Sequence, residues 1–388
     1  MRNFKILELF LSIILTLIVM GGCRKYAEFG DVAFFTGTES SALTKFTIEE
    51  PSNMGITVKA TEKVPNDVII NLKIDAGLLK ALNQSTGKSY AMPPEGSYSL
   101  SADNITIKAG SYISDAVSFE ITSFDNFKDG VNYCVPVTIT SVEGGLSVLE
   151  SSRTIYIVVN RVVITKAVNL KKSVYFTVPT FQTSADVSAM SEVTMECRVY
   201  VNNFQSYTPY ISSIMGIEEN FLLRFGDVSC DKNQMQIAGG KVSGTRYPVT
   251  GDTRFATGRW YHVAVVYDGS TMALYVDGKL DKYTSTEKGI VNFNDTYSGG
   301  FHIGFSETGR LLDGYVSEAR VWSKALTQNE LQDNLCYVDP ASENLVAYWR
   351  FNDVDEEGNI PDLSGHGHLA EPSSKSLTWV EAVKCANN

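Results

Sequence analysis

The stretch Gly258-Arg-Trp-Tyr-His-Val-Ala-Val-Val-Tyr-Asp-Gly269, followed at once by Met272-Ala-Leu-Tyr-Val-Asp-Gly278, decides the fold. Both runs are short, mostly apolar and rich in β-branched and aromatic residues, and each ends in Asp-Gly. Such side chains suit a pleated, half-buried surface, and Asp-Gly tolerates the positive φ angles of tight hairpin turns. The pattern predicts adjacent antiparallel strands in an all-β domain.

The same strands resemble the laminin G-like, concanavalin A-like jelly-roll family through Trp260-Tyr-His-Val-Ala264 and Leu274-Tyr-Val-Asp-Gly278. The likeness continues through Phe301-His-Ile-Gly304, Leu312-Asp-Gly-Tyr-Val-Ser-Glu-Ala-Arg-Val-Trp322 and Leu345-Val-Ala-Tyr-Trp-Arg-Phe351. Asp362-Leu-Ser-Gly-His-Gly-His368 is similar to a family loop that carries asparagines where His366 and His368 stand. Val193-Thr-Met-Glu-Cys-Arg-Val-Tyr200 resembles an upstream strand. Ala325-Leu-Thr-Gln-Asn-Glu330 is similar to the family's short helix, and Thr327 with Glu330 forms a capping box by itself. The resemblance covers about Val168 to Cys385 and implies a sandwich of two antiparallel sheets. That fold hosts lectins, adhesion modules and glycosidases, so function must be argued from a site.

At the other end, Arg2 and Lys5 precede an apolar run from Ile6 to Met20, interrupted by Glu8, and Met20-Gly-Gly-Cys23 closes it. The short length and these flanks read as a signal peptide over residues 1–22. The small-small-Cys ending resembles a bacterial lipobox, in which Cys23 would carry lipid; an ordinary signal peptide before a chance cysteine is the alternative. No later segment approaches the ~20 apolar residues of a spanning helix. The expectation is a protein anchored to the outer membrane by its lipid, facing the exterior and otherwise soluble.

Composition agrees with an exported β protein: 19 Tyr, 19 Phe and only 20% charged residues. The net charge of −11 argues against nucleic acid, because no basic patch exists to neutralise phosphates. Beyond Cys23, five cysteines remain, and none has metal-ligand spacing. A Cys336–Cys385 bridge is one reading, and buried free thiols are the other.

After a tether at residues 23–31, residues 32–161 show strand-length runs between turn signals. The clearest are Ile56–Lys59, Val68–Ile74, Ile105–Lys108, Ala116–Ile121, Cys134–Ile139 and Thr154–Val159, with a short helix at Ala76–Leu82. Many short strands suggest an immunoglobulin-like β-sandwich. Tyr90-Ala-Met-Pro-Pro-Glu-Gly-Ser-Tyr-Ser-Leu100 and Tyr133-Cys-Val-Pro-Val-Thr-Ile139 resemble the domain of unknown function 1735 (DUF1735) found in Bacteroidetes surface lipoproteins. That resemblance implies a member of a polysaccharide-uptake system. Residues 162–388 form the second domain, and the junction lacks Gly and Pro, so it is no flexible tether.

Catalysis needs acids in the right array. Related jelly-roll glycanases carry Glu-x-Asp-x-Glu on one strand, which sets acid and nucleophile on one face. The nearest match, Glu192-Val-Thr-Met-Glu196, has Thr194 at its centre, so no catalytic residue is assigned. His262 reads as a core histidine. His366 and His368 read as loop decoration, since nothing else with ligand spacing accompanies them, with a transition-metal pair as the alternative. All four tryptophans, Trp260, Trp322, Trp349 and Trp379, read as core residues. A sugar platform would then fall to loop tyrosines: Tyr207 and Tyr210 in Asn202-Asn-Phe-Gln-Ser-Tyr-Thr-Pro-Tyr210, with Tyr247 and Tyr297 from other turns. The family also implies one structural Ca²⁺ near Asp362, with Asn352 adding an oxygen; a turn-capping Asp362 is the competing reading. The expected function is non-catalytic binding of a polysaccharide or glycoprotein glycan within an outer-membrane uptake complex. A protein-binding adhesion module and a glycoside hydrolase with an unrecognised acid pair are the alternatives.

Overall fold

The computed structural model describes residues 30–385 apart from Asp129, Lys172 and Lys288. The expected signal peptide and the expected lipid-bearing Cys23 lie outside them. The chain is all-β and sandwich-like. Among the described residues, no helix is long and apolar enough to cross a membrane.

The N-terminal part is built on a five-stranded sheet in the order Leu43–Ile48, Thr154–Arg161, Tyr133–Glu143, Val68–Ile74 and Asn104–Ile107. Two three-stranded sheets complete it, and alternate side chains meet in one core that includes Phe35, Ile70, Phe119, Val135 and Ile157. The predicted helix begins as a 3-10 turn, Ala76–Leu78, capped by Asp75, and continues as Leu79–Thr86 until Gly87 ends it in the left-handed region.

The C-terminal part packs two large sheets on a second core. The eight-stranded sheet runs Lys279–Ser285, Thr271–Val276, Trp260–Tyr267, Val193–Asn203, Asp313–Trp322, Val163–Asn169 and Thr378–Cys385, with Leu345–Trp349 pairing to Asp313–Trp322. The seven-stranded sheet runs Val249–Thr250, Cys230–Ala238, Phe221–Asp227, Ser212–Ile217, His302–Ile303, Phe176–Thr177 and Glu371–Pro372. The deciding hairpins are present. Asp277 and Gly278 take φ of 49° and 70° between the paired ends Val276 and Lys279, as a two-residue primed turn requires.

The two parts are closely joined. Only Val162 separates Thr154–Arg161 from Val163–Asn169, and its N–H donates to the Ile48 carbonyl at 2.9 Å. Lys88 pairs with Asp333 and Lys384 with Glu49, each at 2.7 Å, across the junction.

Part of the outer face of the eight-stranded sheet is covered. The helix Gln328–Asp333, capped by Thr327 and Glu330 in a capping box, starts the cover. Leu331, Val338 and Tyr348 form a satellite cluster with Trp322 over Ala264 and Val266. A Cys336–Cys385 disulfide, Cα atoms 5.6 Å apart, ties this cover to the last strand. Cys134, Cys197 and Cys230 are free, and burial pushes the Cys134 thiol up to about 12.

The tryptophans divide. Trp349 is in the main core, Trp379 packs against it, and Trp322 lies in the satellite cluster. Trp260 departs from expectation: it is half-buried and outside the core. Tyr261, Val263, Val265 and Tyr267 face the core, so Trp260 shares the opposite face with His262, Ala264 and Val266. The covering segment makes part of that outer face apolar too, which conceals the strand's parity in the sequence.

Candidate functional site

On the seven-stranded sheet, Phe221, Leu223 and Phe225 point into the core, so Arg224 points away from it. Strand register sets Thr250, Gln236, Arg224 and Ser213 side by side across four strands. Gln236 Nε2 donates to Thr250 Oγ1 at 3.0 Å. Arg224 Nη2 donates to Gln236 Oε1 at 2.7 Å and to Asp227 Oδ2 at 2.6 Å. Its Nη1 reaches Glu218 Oε1 at 3.4 Å. Glu218 Oε2 also accepts from Ser306 Oγ at 2.6 Å and pairs with Arg310 at 2.9 Å.

The side chains of Arg224 and Glu218 are each only 1% exposed, whereas that of Arg310 is 23% exposed. Two arginines balance two carboxylates, and buried charges are tolerated only when paired and hydrogen-bonded in this way. The network is a rigid base whose surface members are Arg310 and the half-buried Tyr247, whose ring lies over Arg224.

The four tyrosines separate into two pairs. Tyr247 also lies 5.3 Å from Arg246, which pairs with Glu219. Tyr297 lies 5.4 Å from Lys241, whose N–H donates to the Glu219 carbonyl. These two flank the turn between Ser212–Ile217 and Phe221–Asp227. Tyr207 and Tyr210 are exposed at the other end of that hairpin. There the Tyr210 carbonyl sits so close to Gly226 that an added Cβ would approach it to 2.1 Å. From Phe221 to Gly226 the strand covers roughly 17 Å. The tyrosines thus flank an extended surface and do not form one cluster.

The opposite sheet explains the carboxylate of the sequence motif. Glu196 is fully buried; it accepts from Trp322 Nε1 at 2.9 Å, meets His262 Nε2 at 2.9 Å and pairs with Arg320 at 3.2 Å. Burial opposes its charge, but Arg320, His262 and Trp322 outweigh burial and hold the carboxyl below its usual range. It is inaccessible to a substrate. Beside it lies a group that sequence reasoning missed. The rings of Tyr200, Trp260 and Tyr315 are mutual neighbours at 5.0–6.1 Å, and Arg198 lies 4.9 Å from the Trp260 ring. Burial lowers Arg198 to about 10. Arg198, Trp260, Asp277 and Lys384 line a cleft of about 220 Å³. The available signal was strand alternation, which places Arg198 and Tyr200 on one face.

The calcium expectation meets a full hydrogen-bond set. Asp362 Oδ1 accepts from the backbone N–H groups of Tyr348 and Ser364, both at 2.9 Å, and from Ser364 Oγ at 2.7 Å. Oδ2 accepts from the His368 N–H at 3.0 Å. These donors aim their positive ends where a cation would sit, and their displacement would orphan three backbone N–H groups. The donor set at Asp362 does not fit Ca²⁺, and Asn352, the other expected ligand, is half-buried.

Known proteins share this architecture. Residues 172–332 match the family model of the concanavalin A-like lectin/glucanases superfamily. Residues 29–146 match a family model described as an N-terminal domain. No curated protein matches. A solved structure from Bacteroides ovatus, described as a candidate carbohydrate-binding protein, is 25% identical over 92% of this chain and 100% of its own, with a TM-score of 0.58. A heptameric SAP-like pentraxin from Limulus polyphemus is 13% identical over 56% of this chain and 95% of its own, at a TM-score of 0.35. A domain of an extracellular arabinanase from Geobacillus stearothermophilus, solved with arabinotriose, is 16% identical over 38% and 68%, at 0.29. The last two are too distant to bear on function.

Proposed function

We propose that this chain is a non-catalytic glycan-binding lipoprotein of the cell surface, acting in a polysaccharide-utilisation system at the outer membrane. The observation that carries the reading is the Tyr247 ring seated over the buried Arg224 network. A flat aromatic face beside fixed polar groups is the chemistry that recognises a pyranose, and a locked support keeps it pre-organised. Arg246 and Arg310 would supply hydrogen bonds, and the tyrosine pairs at the hairpin ends would extend the surface along a chain of sugars. The Bacteroides ovatus likeness supports the same class of ligand. Burial of Glu196 favours binding over hydrolysis. The first part of the chain, DUF1735-like in its wording, serves as a spacer next to the membrane.

The test uses the protein without its first 23 residues on a glycan array, beside a panel of extracellular proteins and a reducing-end assay on polysaccharides. Glycan binding without release of reducing ends is expected. Binding to proteins alone would point to an adhesion module, and released reducing ends to a glycosidase.

A further inference from the structure

The glycan reading leaves His366-Gly-His368 unused. The turn Ala185–Val187 meets this loop, and one donor atom from each of Asp186, His366 and His368 lies within 4.8 Å of the other two. His366 Nδ1 is 3.2 Å from Asp186 Oδ2. His368 is only 3% exposed and rigidly held. Its N–H donates to Asp362, its carbonyl accepts from Trp349 Nε1 at 2.6 Å, and its ring packs edge-on against Phe181. Nδ1 shares a hydrogen bond with Thr180 Oγ1 at 2.9 Å. Nε2 is buried and has no hydrogen-bond partner among the described residues.

We propose that Asp186, His366 and His368 form a binding site for a divalent transition-metal ion of the zinc class. Two imidazoles and one carboxylate are a normal ligand set for such an ion, whereas calcium prefers oxygen throughout. Thr180 occupies Nδ1 of His368, which leaves Nε2 to ligate. A second hydrogen bond of this kind fixes ring orientation and tautomer in metal sites. Tetrahedral ligands at ~2.1 Å from the metal stand roughly 3.4 Å apart, so closure from separations of up to 4.8 Å needs a shift of at most about 1.4 Å. The exposed side chains of Asp186 and His366 can supply it against the fixed His368. Three protein ligands leave a coordination position open. Asp186 and His366 border a cleft of about 280 Å³, also lined by Ser342, Glu343 and Asn344, from which a further oxygen ligand can enter.

The experiment is titration of the untagged protein with Zn²⁺ by calorimetry and with Co²⁺ by visible absorption. The variants are His366→Ala and Asp186→Ala, both at exposed positions, together with His368→Gln. One ion per chain is expected, with affinity at least tenfold lower in each variant, loss of the Co²⁺ ligand-field bands, and unchanged melting of metal-free His366→Ala. Absence of binding at millimolar Zn²⁺, binding that survives both exposed-site variants, or a response to Ca²⁺ in place of Zn²⁺ would each overturn the site.

Discussion

The Tyr247 ring lies 4.9 Å from the Arg224 guanidinium, and that guanidinium is itself fixed by Gln236 and Asp227. An aromatic side chain at the surface is therefore held by a buried ion network that cannot reorient. Tyr247→Ala should lower glycan affinity at least tenfold and cost only about 1–2 kcal/mol of stability, the worth of a partly desolvated cation–π contact. Calorimetric titration and a melting curve measure the two effects, and unchanged affinity would remove Tyr247 from the site.

Arg224→Ala should be far more damaging to the fold. It leaves Glu218 facing Arg310 alone and Asp227 without its arginine. Loss of one partner from a buried charge network costs about 3–5 kcal/mol. Urea denaturation would report this, and a loss below about 1 kcal/mol would show that water enters the network.

Glu196 predicts a pH dependence. Its folded pKa lies below the usual 4.5, because Arg320, His262 and Trp322 outweigh burial. A depressed folded pKa adds stability above the unfolded value, and that stability is lost as pH falls through the folded value. Stability should therefore decline below about pH 4.5. Glu196→Gln should lower stability at neutral pH and flatten this part of the profile. Parallel profiles for the two proteins between pH 3 and 7 would exclude Glu196 as the cause.

Trp322 and Trp260 should behave differently. Trp322→Ala opens a cavity in the satellite cluster and should cost roughly 3–5 kcal/mol. Trp260→Ala, at a half-buried position over Arg198, should cost clearly less. Equal losses in chemical denaturation would mean that Trp260 is packed as tightly as Trp322.

Cys23→Ser should abolish lipidation if Cys23 carries the anchor. The variant should move from the detergent phase to the aqueous phase on partitioning, and its continued recovery with detergent would rule out a lipid on Cys23.

Local chemistry was legible in the sequence. Apolar alternation, Asp277-Gly278 and the Thr327–Glu330 capping box each act within a few residues, so strands, hairpins, the short helix and the all-β class followed from the chain alone. The core reading of Trp349 followed too. Only the tertiary structure decided which face carries Trp260, because two apolar faces erase parity. It also decided that Cys336 pairs with Cys385, that the four tyrosines stand in two pairs, and that Asp362 has its acceptors filled. Asp186 joins His366 across 180 residues of sequence, and Gln236 joins Arg224 through strand register. Such contacts depend on how sheets pair and pack, and no local propensity encodes them.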